Sequence, residues 1–357
     1  MKINGSVLIT FIPVLAAAGV LLGGSALFSG CYTLTQGSAL LGYLGKAVPM
    51  KTLADSPDSA DAEFARQVMD IRRFALEELG LRETTNYTKY VAIDRDYLAA
   101  VVSASAQDSF TRHEWWFPVV GSVPYKGFFN PEDARKERAK LEKKDLDVWV
   151  RGVDAFSTLG WFSDPLYSYM KEYPVHHLAD LIIHESLHAT IYLKNHSQFN
   201  EELAEFVGSE GARLYIEKIY GADSEEYRAI TGSDGGREAF LSFIRELIAE
   251  LGLLYDSGIS REEKLQKKEA IILAAKARFN ENYDTFFQND NYRGFSELPI
   301  NNAYLELYRL YYEEDRYFLD LYERSGRDLP AFITAVKTLK ARGDPKAQLE
   351  QALGLMP

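Results

Sequence analysis

One cysteine, four tryptophans and six histidines in 357 residues are the scarcities that constrain this chain most. A single cysteine, Cys31, excludes a disulfide framework and every metal site built from several thiolates. Basic residues are in deficit as well: 40 Lys and Arg stand against 52 Asp and Glu, a formal net charge of −12. That balance speaks against nucleic acid as a partner, because phosphate recognition needs clustered cations. It speaks equally against a polybasic membrane-surface protein. What is present is a folding composition, 46% hydrophobic and 26% charged, which excludes general disorder and allows a sizeable core. Tyr (22) and Phe (20) are abundant, as suits a well-packed globule or an aromatic-lined cleft.

One long apolar run stands out, over 7–28, broken by Pro13 and preceded by a single charge, Lys2. A basic start, an apolar middle and small residues before a processing point form the layout of an export signal. The run ends Leu27-Phe28-Ser29-Gly30-Cys31, which resembles the lipobox of bacterial lipoproteins, with Phe28 where Leu is usual. The resemblance implies a signal peptide over 1–30 and acyl chains on Cys31 that anchor the rest to a membrane. The alternative is an uncleaved transmembrane anchor, since about 20 apolar residues span a bilayer. Either way the bulk lies at the cell envelope, outside the cytoplasm. Tyr32, following the cysteine, points by the sorting rule of enteric bacteria to the periplasmic side of the outer membrane.

Beyond Cys31 the pattern is that of an α+β protein, predominantly α-helical, with its few strands in the first half. Helical spacing of Phe64, Val68, Ile71, Phe74 and Ala75 predicts a helix over 62–79, stopped at Gly80. Strand signals follow at 90–93, 115–120 and 148–150, and Asn130-Pro131 opens a charged helix through about Lys144. Ser260 and Glu263 form a capping box, and 303–322 reads as one aromatic helix. With no internal repeat or low-complexity linker, 31–357 is expected to be a single domain, its mixed part over 31–174 and its helical part over 175–357.

Chemistry concentrates at Leu181-Ile182-Ile183-His184-Glu185-Ser186-Leu187-His188-Ala189, an H-E-x-x-H sequence. On a helix, positions four apart share a face, so His184 and His188 can grip one metal ion, with Glu185 leaning toward a bound water. The surrounding apolar residues imply a buried helix, and buried imidazoles need partners; Zn2+ is the expected one. A catalytic zinc usually has three protein ligands and an open position. The following Asn200-Glu201-Glu202-Leu203-Ala204 resembles the N-E-x-x-A element of gluzincin, thermolysin-like metallopeptidases. That resemblance places the third ligand at Glu201 and a carboxylate orienting a metal-bound imidazole at Glu205. Glu202 is an alternative ligand if the helix is rotated, whereas His196 and the His176-His177 pair lie at unsuitable spacings. A first helix ending near Lys194 and a second starting near Asn200 bring Glu201 back to His188 only if the turn is tight or the first helix ends early.

Five segments carry a wider resemblance in the same order: Pro124 to Phe129, Thr158 to Pro165, the H-E-x-x-H run, the stretch from Phe199 to Gly208, and Asn301-Asn302-Ala303. They are similar to a bacterial family of lipoprotein "putative aminopeptidases". The resemblance implies a zincin-like fold with an active-site helix and a small sheet. It also implies hydrolysis of a peptide substrate by a zinc-activated water, with Glu185 as general base. In related enzymes a Tyr or His steadies the oxyanion; the candidates are Tyr125, Tyr304 and Tyr308, then Tyr311 and Tyr312. Thr158 to Trp161 could pair with substrate backbone as an added strand or form an ordinary turn. The competing expectations are a zinc endopeptidase and a non-catalytic envelope lipoprotein that binds peptide or protein.

Overall fold

The computed structural model describes residues 12–13, 42, 45–117, 121–153, 156–157, 164–287, 290, 292–309 and 315–355. Cys31 and nearly all of the amino-terminal apolar run lie outside these, as do Thr158 to Trp161, Tyr311 and Tyr312. Among the described residues no helix is long and apolar enough to cross a membrane.

After a short helical turn at Met50–Ala54, the first long helix, α1 (Ser59–Glu77), is capped by Asp58, whose side chain accepts the N–H groups of Ala60 and Asp61. Its buried stripe is Phe64, Val68, Ile71, Phe74 and Ala75, and the chain turns out of it at Gly80 (φ +64°). Strand β1 (Lys89–Val91) pairs antiparallel with Val48–Pro49 and parallel with Leu166–Tyr167. Next come β2 (Ala99–Ala106), β3 (Trp115–Phe117), β4 (Gly121–Val123) and β5 (Tyr125–Phe128). Helix α2 (Pro131–Glu142), capped by Asn130, leads into β6 (Leu146–Val153).

The main sheet is antiparallel in the order β5-β2-β6, with Val101 opposite both Gly127 and Arg151. Ala100, Val102 and Ala104 pack with Phe128, Val148 and, from α2, Ala134 and Leu141. Central β2 reads Ala-Ala-Val-Val-Ser-Ala-Ser-Ala, small residues that leave room for covering elements on both faces. The expected strand over 148–150 is longer, because β6 follows β2 along its whole length.

Everything described from Val175 onward is helical or irregular: α3 (Val175–Thr190), α4 (Ser197–Tyr220), α5 (Glu225–Tyr255), α6 (Arg261–Glu281), α7 (Asn302–Arg309), α8 (Asp315–Arg324), α9 (Leu329–Val336) and α10 (Pro345–Ala352). The Ser260–Glu263 capping box opens α6. Of the helix expected over 303–322, the described parts are helical, as α7 and α8, and 310–314 lie outside the described residues. The largest core cluster draws on residues from Met50 to Leu349 and contains the buried faces of α1, α3 and α4.

Asn302 docks α7 on the sheet. Fully buried, it donates from Nδ2 to the carbonyls of Ala106, Gln107 and Ser109, and its Oδ1 accepts from the Tyr255 hydroxyl at 2.7 Å. Lys268, also buried, pairs with Asp147, which accepts the Asn302 backbone N–H. The Asn301-Asn302-Ala303 sequence thus serves packing, with every buried polar group answered.

Candidate metal centre

Helix α3 buries Leu178, Leu181, Ile182 and Leu187 in the main core, and the same turns bury His184 and Glu185. It ends two residues after His188, earlier than Lys194. Thr190 closes it: its hydroxyl donates to the Ser186 carbonyl at 2.7 Å and accepts the Arg82 backbone N–H at 2.8 Å. Ile191 is then extended, and Asn195 turns left-handed at φ +69° before α4 begins.

Asn200 holds this short connection. It is buried, its Oδ1 accepts the Leu193 N–H and its Nδ2 donates to the Leu193 carbonyl, both at 2.9 Å. These bonds replace ladder bonds that a longer α3 would have made. The early end resolves the spacing question and puts Glu201, in the second turn of α4, level with His188.

Nε2 of His184 and Nε2 of His188 lie 3.1 Å apart, and the two Glu201 carboxylate oxygens approach them at 3.7 Å and 3.5 Å respectively. Tetrahedral ligands at zinc bond lengths of about 2.0–2.1 Å stand roughly 3.3–3.4 Å from one another. The imidazole nitrogens, 3.1 Å apart, stand near that value and each has its own Glu201 oxygen at 3.5 or 3.7 Å; with one atom taken from each residue the three donors lie within 4.8 Å of one another, close enough for a zinc ion to draw them in. Among the described residues this is the group of His, Cys, Asp or Glu side chains able to hold a metal, its donor atoms all within 4.8 Å of one another. The imidazoles are nearly covered and the Glu201 side chain is 24% exposed, so the cluster opens toward solvent on the Glu201 side.

Electrostatics favour a cation here. Burial lowers His184 to about 4, against the pull of Glu201, so this imidazole is neutral at physiological pH. Burial also works against a charged His188, but Glu201 and Glu185 outweigh it and raise its pKa. Burial alone would raise Glu201; the two imidazoles hold it well below the ordinary carboxylate range. The cluster draws positive charge inward, and a bound metal would displace a proton from it.

Helices α3 and α4 meet closely because α4 carries Gly208 and Gly211. A Cβ on Gly208 would lie 2.3 Å from Asp180 Oδ1 and 3.1 Å from both the Asp180 carbonyl oxygen and His184 Cβ. Gly208→Ala is therefore expected to force the helices apart, costing about 1–3 kcal/mol of stability and weakening metal affinity. Denaturant unfolding and chelator competition measure the two effects; a variant matching wild type in both would show that the close approach is dispensable.

Asp180, one turn before His184, and Arg237 on α5 are site neighbours that sequence reasoning missed. The signal was an acidic residue inside the otherwise apolar Leu178-Ala179-Asp180-Leu181-Ile182. Glu205 accepts from Arg237 at 2.6 Å. Burial, with Glu205 adding to it and Arg237 opposing, raises Asp180 to about 7. A carboxyl raised in the folded state stabilises fully below its unfolded pKa of about 4 and loses that contribution as pH rises through 7. In metal-free protein, wild type should thus lose stability relative to Asp180→Asn between pH 4 and 7. Parallel stability curves for the two proteins would contradict this.

The other sequence candidates have these surroundings. Glu202 accepts from Gln198 at 2.8 Å and has Lys346 at 4.0 Å, which turns it toward α10 and corrects the alternative of Glu202 as third ligand. His196 meets the Ala341 carbonyl at 3.1 Å. His176 and His177 form an edge-to-face pair, half-buried in the first turn of α3, where burial lowers both. The Tyr304 and Tyr308 hydroxyls lie 2.9 Å apart, with Tyr304 inside a second core cluster of Phe240, Phe279 and Phe295. Tyr125 lies on β5, opposite Ser103. An aromatic ring set against the metal cluster, and not foreseen, is Tyr192: it meets His188 edge-to-face at 6.1 Å and is 39% exposed.

Residues 31–353 match the model of a protein family described as "Putative aminopeptidase". No curated protein and no solved structure matches the chain.

Proposed function

Because the chain belongs to the "Putative aminopeptidase" family, we propose that it hydrolyses peptide bonds as a zinc-dependent enzyme at the cell envelope. The observation that carries this reading is the convergence of His184, His188 and Glu201 from two helices, with Glu185 buried beside them. Bound zinc would supply Lewis acidity and bring the pKa of a water down to about 7.

The residues of the chain do the rest. His184 and His188 bind as neutral imidazoles, and Glu201 supplies the negative charge. Glu185 accepts a proton from the attacking water and passes it to the leaving amine, acting first as base and then as acid. Glu205, with Arg237 and Asp180 around it, forms the charged layer behind the ligands, where it would orient an imidazole. Tyr192 stands at the rim, where a substrate would meet it. Lipid anchoring through Cys31 on the periplasmic side of the outer membrane belongs to the same reading, on the strength of the 27–31 sequence.

The family description favours removal of amino-terminal residues over internal cleavage. Digestion of one peptide set with free and with acetylated amino termini tests it: free peptides should be shortened from the amino end, and chelation should stop the reaction. Equal cleavage of blocked peptides would make the protein an endopeptidase. A zinc-loaded protein inert on both sets would leave a binding lipoprotein.

A further inference from the structure

Just past the H-E-x-x-H helix, the chain runs Ile191-Tyr192-Leu193 between two fixed points. The Ile191 N–H donates to the Leu187 carbonyl at 2.8 Å. Both backbone groups of Leu193 are held by the Asn200 side chain at 2.9 Å. Ile191 is extended, and successive side chains of extended backbone point to opposite sides. Accordingly Ile191 packs against the main core and Leu193 is buried within it, while Tyr192 between them is 39% exposed.

The fold itself makes little use of this side chain. Among the described residues the Tyr192 hydroxyl makes no hydrogen bond, and its ring joins none of the core clusters. Its ring contact is with His188, edge-to-face at 6.1 Å. Asn200, which clamps the segment, precedes Glu201, and the donor cluster opens to solvent on the Glu201 side. A half-exposed ring on clamped backbone therefore stands at the mouth of the three donors.

Such a ring is prepared to receive apolar surface. Tyr offers large, rigid contact area at low entropic cost, and a backbone fixed on both sides lowers that cost further. A peptide whose scissile carbonyl lies at the three donors necessarily brings its flanking side chains to the same mouth.

We propose that Tyr192 is a specificity-determining residue, its ring forming one wall of the subsite for an apolar side chain next to the scissile bond. The inference rests on the zinc-peptidase reading above and adds the class of substrate preferred, Leu or Phe over Gly at that position. In the zinc-loaded enzyme, Tyr192→Ala should lower kcat/KM about tenfold for Leu and Phe substrates and less than about threefold for Gly substrates. Tyr192→Phe keeps the ring and should keep the wild-type preference. Equal losses on both substrate classes would overturn the proposal, and so would a Phe variant that behaves like the Ala variant. Zinc affinity should change less than about threefold in either variant; loss of the ion would make Tyr192 a support of His188 instead.

One arm needs no turnover. Calorimetry should show leucine hydroxamate binding zinc-loaded wild type about tenfold more tightly than glycine hydroxamate, and Tyr192→Ala should erase that advantage. An advantage undiminished in the Ala variant would contradict the proposal. Should wild type bind zinc yet cleave no peptide, the hydrolase reading fails while the hydroxamate pair still decides the role of Tyr192. A wild type that binds no zinc would overturn both.

Discussion

Replacing Glu185 with Gln is expected to leave zinc content and fold intact while cutting peptide hydrolysis by about 10²–10⁴-fold, the usual contribution of a positioned general base. The substitution changes little else. Glu185 is buried in α3, and Gln fills the same volume in the same helix. Removing a charge from a site that is 2% exposed relieves desolvation, so stability should hold or rise. The metal ligands keep their own geometry, set by the α3–α4 approach at Gly208 and Gly211. Steady-state rates beside metal analysis on the same preparation separate chemistry from binding. Full activity in the variant would remove Glu185 from the base role, and lost zinc would make it a ligand.

The second large effect concerns Glu201. Its replacement by Ala should weaken zinc binding by more than about 100-fold, because loss even of an outer-layer partner typically costs 10–100-fold. Glu201 is the one negatively charged donor of the three, and its oxygens span both imidazoles. Without it His184 and His188 remain 3.1 Å apart, a pair too poor in charge to hold the ion tightly. Since a ligand stabilises the state it binds, zinc should raise the Tm of wild type and hardly move that of the variant. Unchanged affinity and an unchanged thermal shift would place the third ligand elsewhere.

Where a side chain announced its own local structure, the sequence was legible. Asn130-Pro131 and the Ser260–Glu263 pair marked helix starts that the structure has, and the apolar stripe of α1 was visible in its spacing. The three clustered donors belong to two short sequence elements, H-E-x-x-H and N-E-x-x-A, and these are the parts of the site that lie together. Features depending on distant partners were not legible. Central β2 was missed because its Ala and Ser residues carry little strand signal, and it is buried on both faces rather than alternating.

The early end of α3 is not decided by the local sequence, because the deciding bonds come from Asn200, seven residues beyond Leu193. Asp180 and Arg237 are neighbours only after α5 folds back on α4. Asn302 was noticed as part of a motif, yet its work is to bind three carbonyls of the sheet's rim.

The most direct measurement is a zinc titration of metal-free protein, followed by X-ray absorption at the zinc edge. One ion per chain, with two imidazole nitrogens at about 2.0–2.1 Å and oxygen filling the remaining positions, is the predicted result. A chain that binds no zinc, or a bound zinc whose spectrum lacks imidazole scattering, would contradict it.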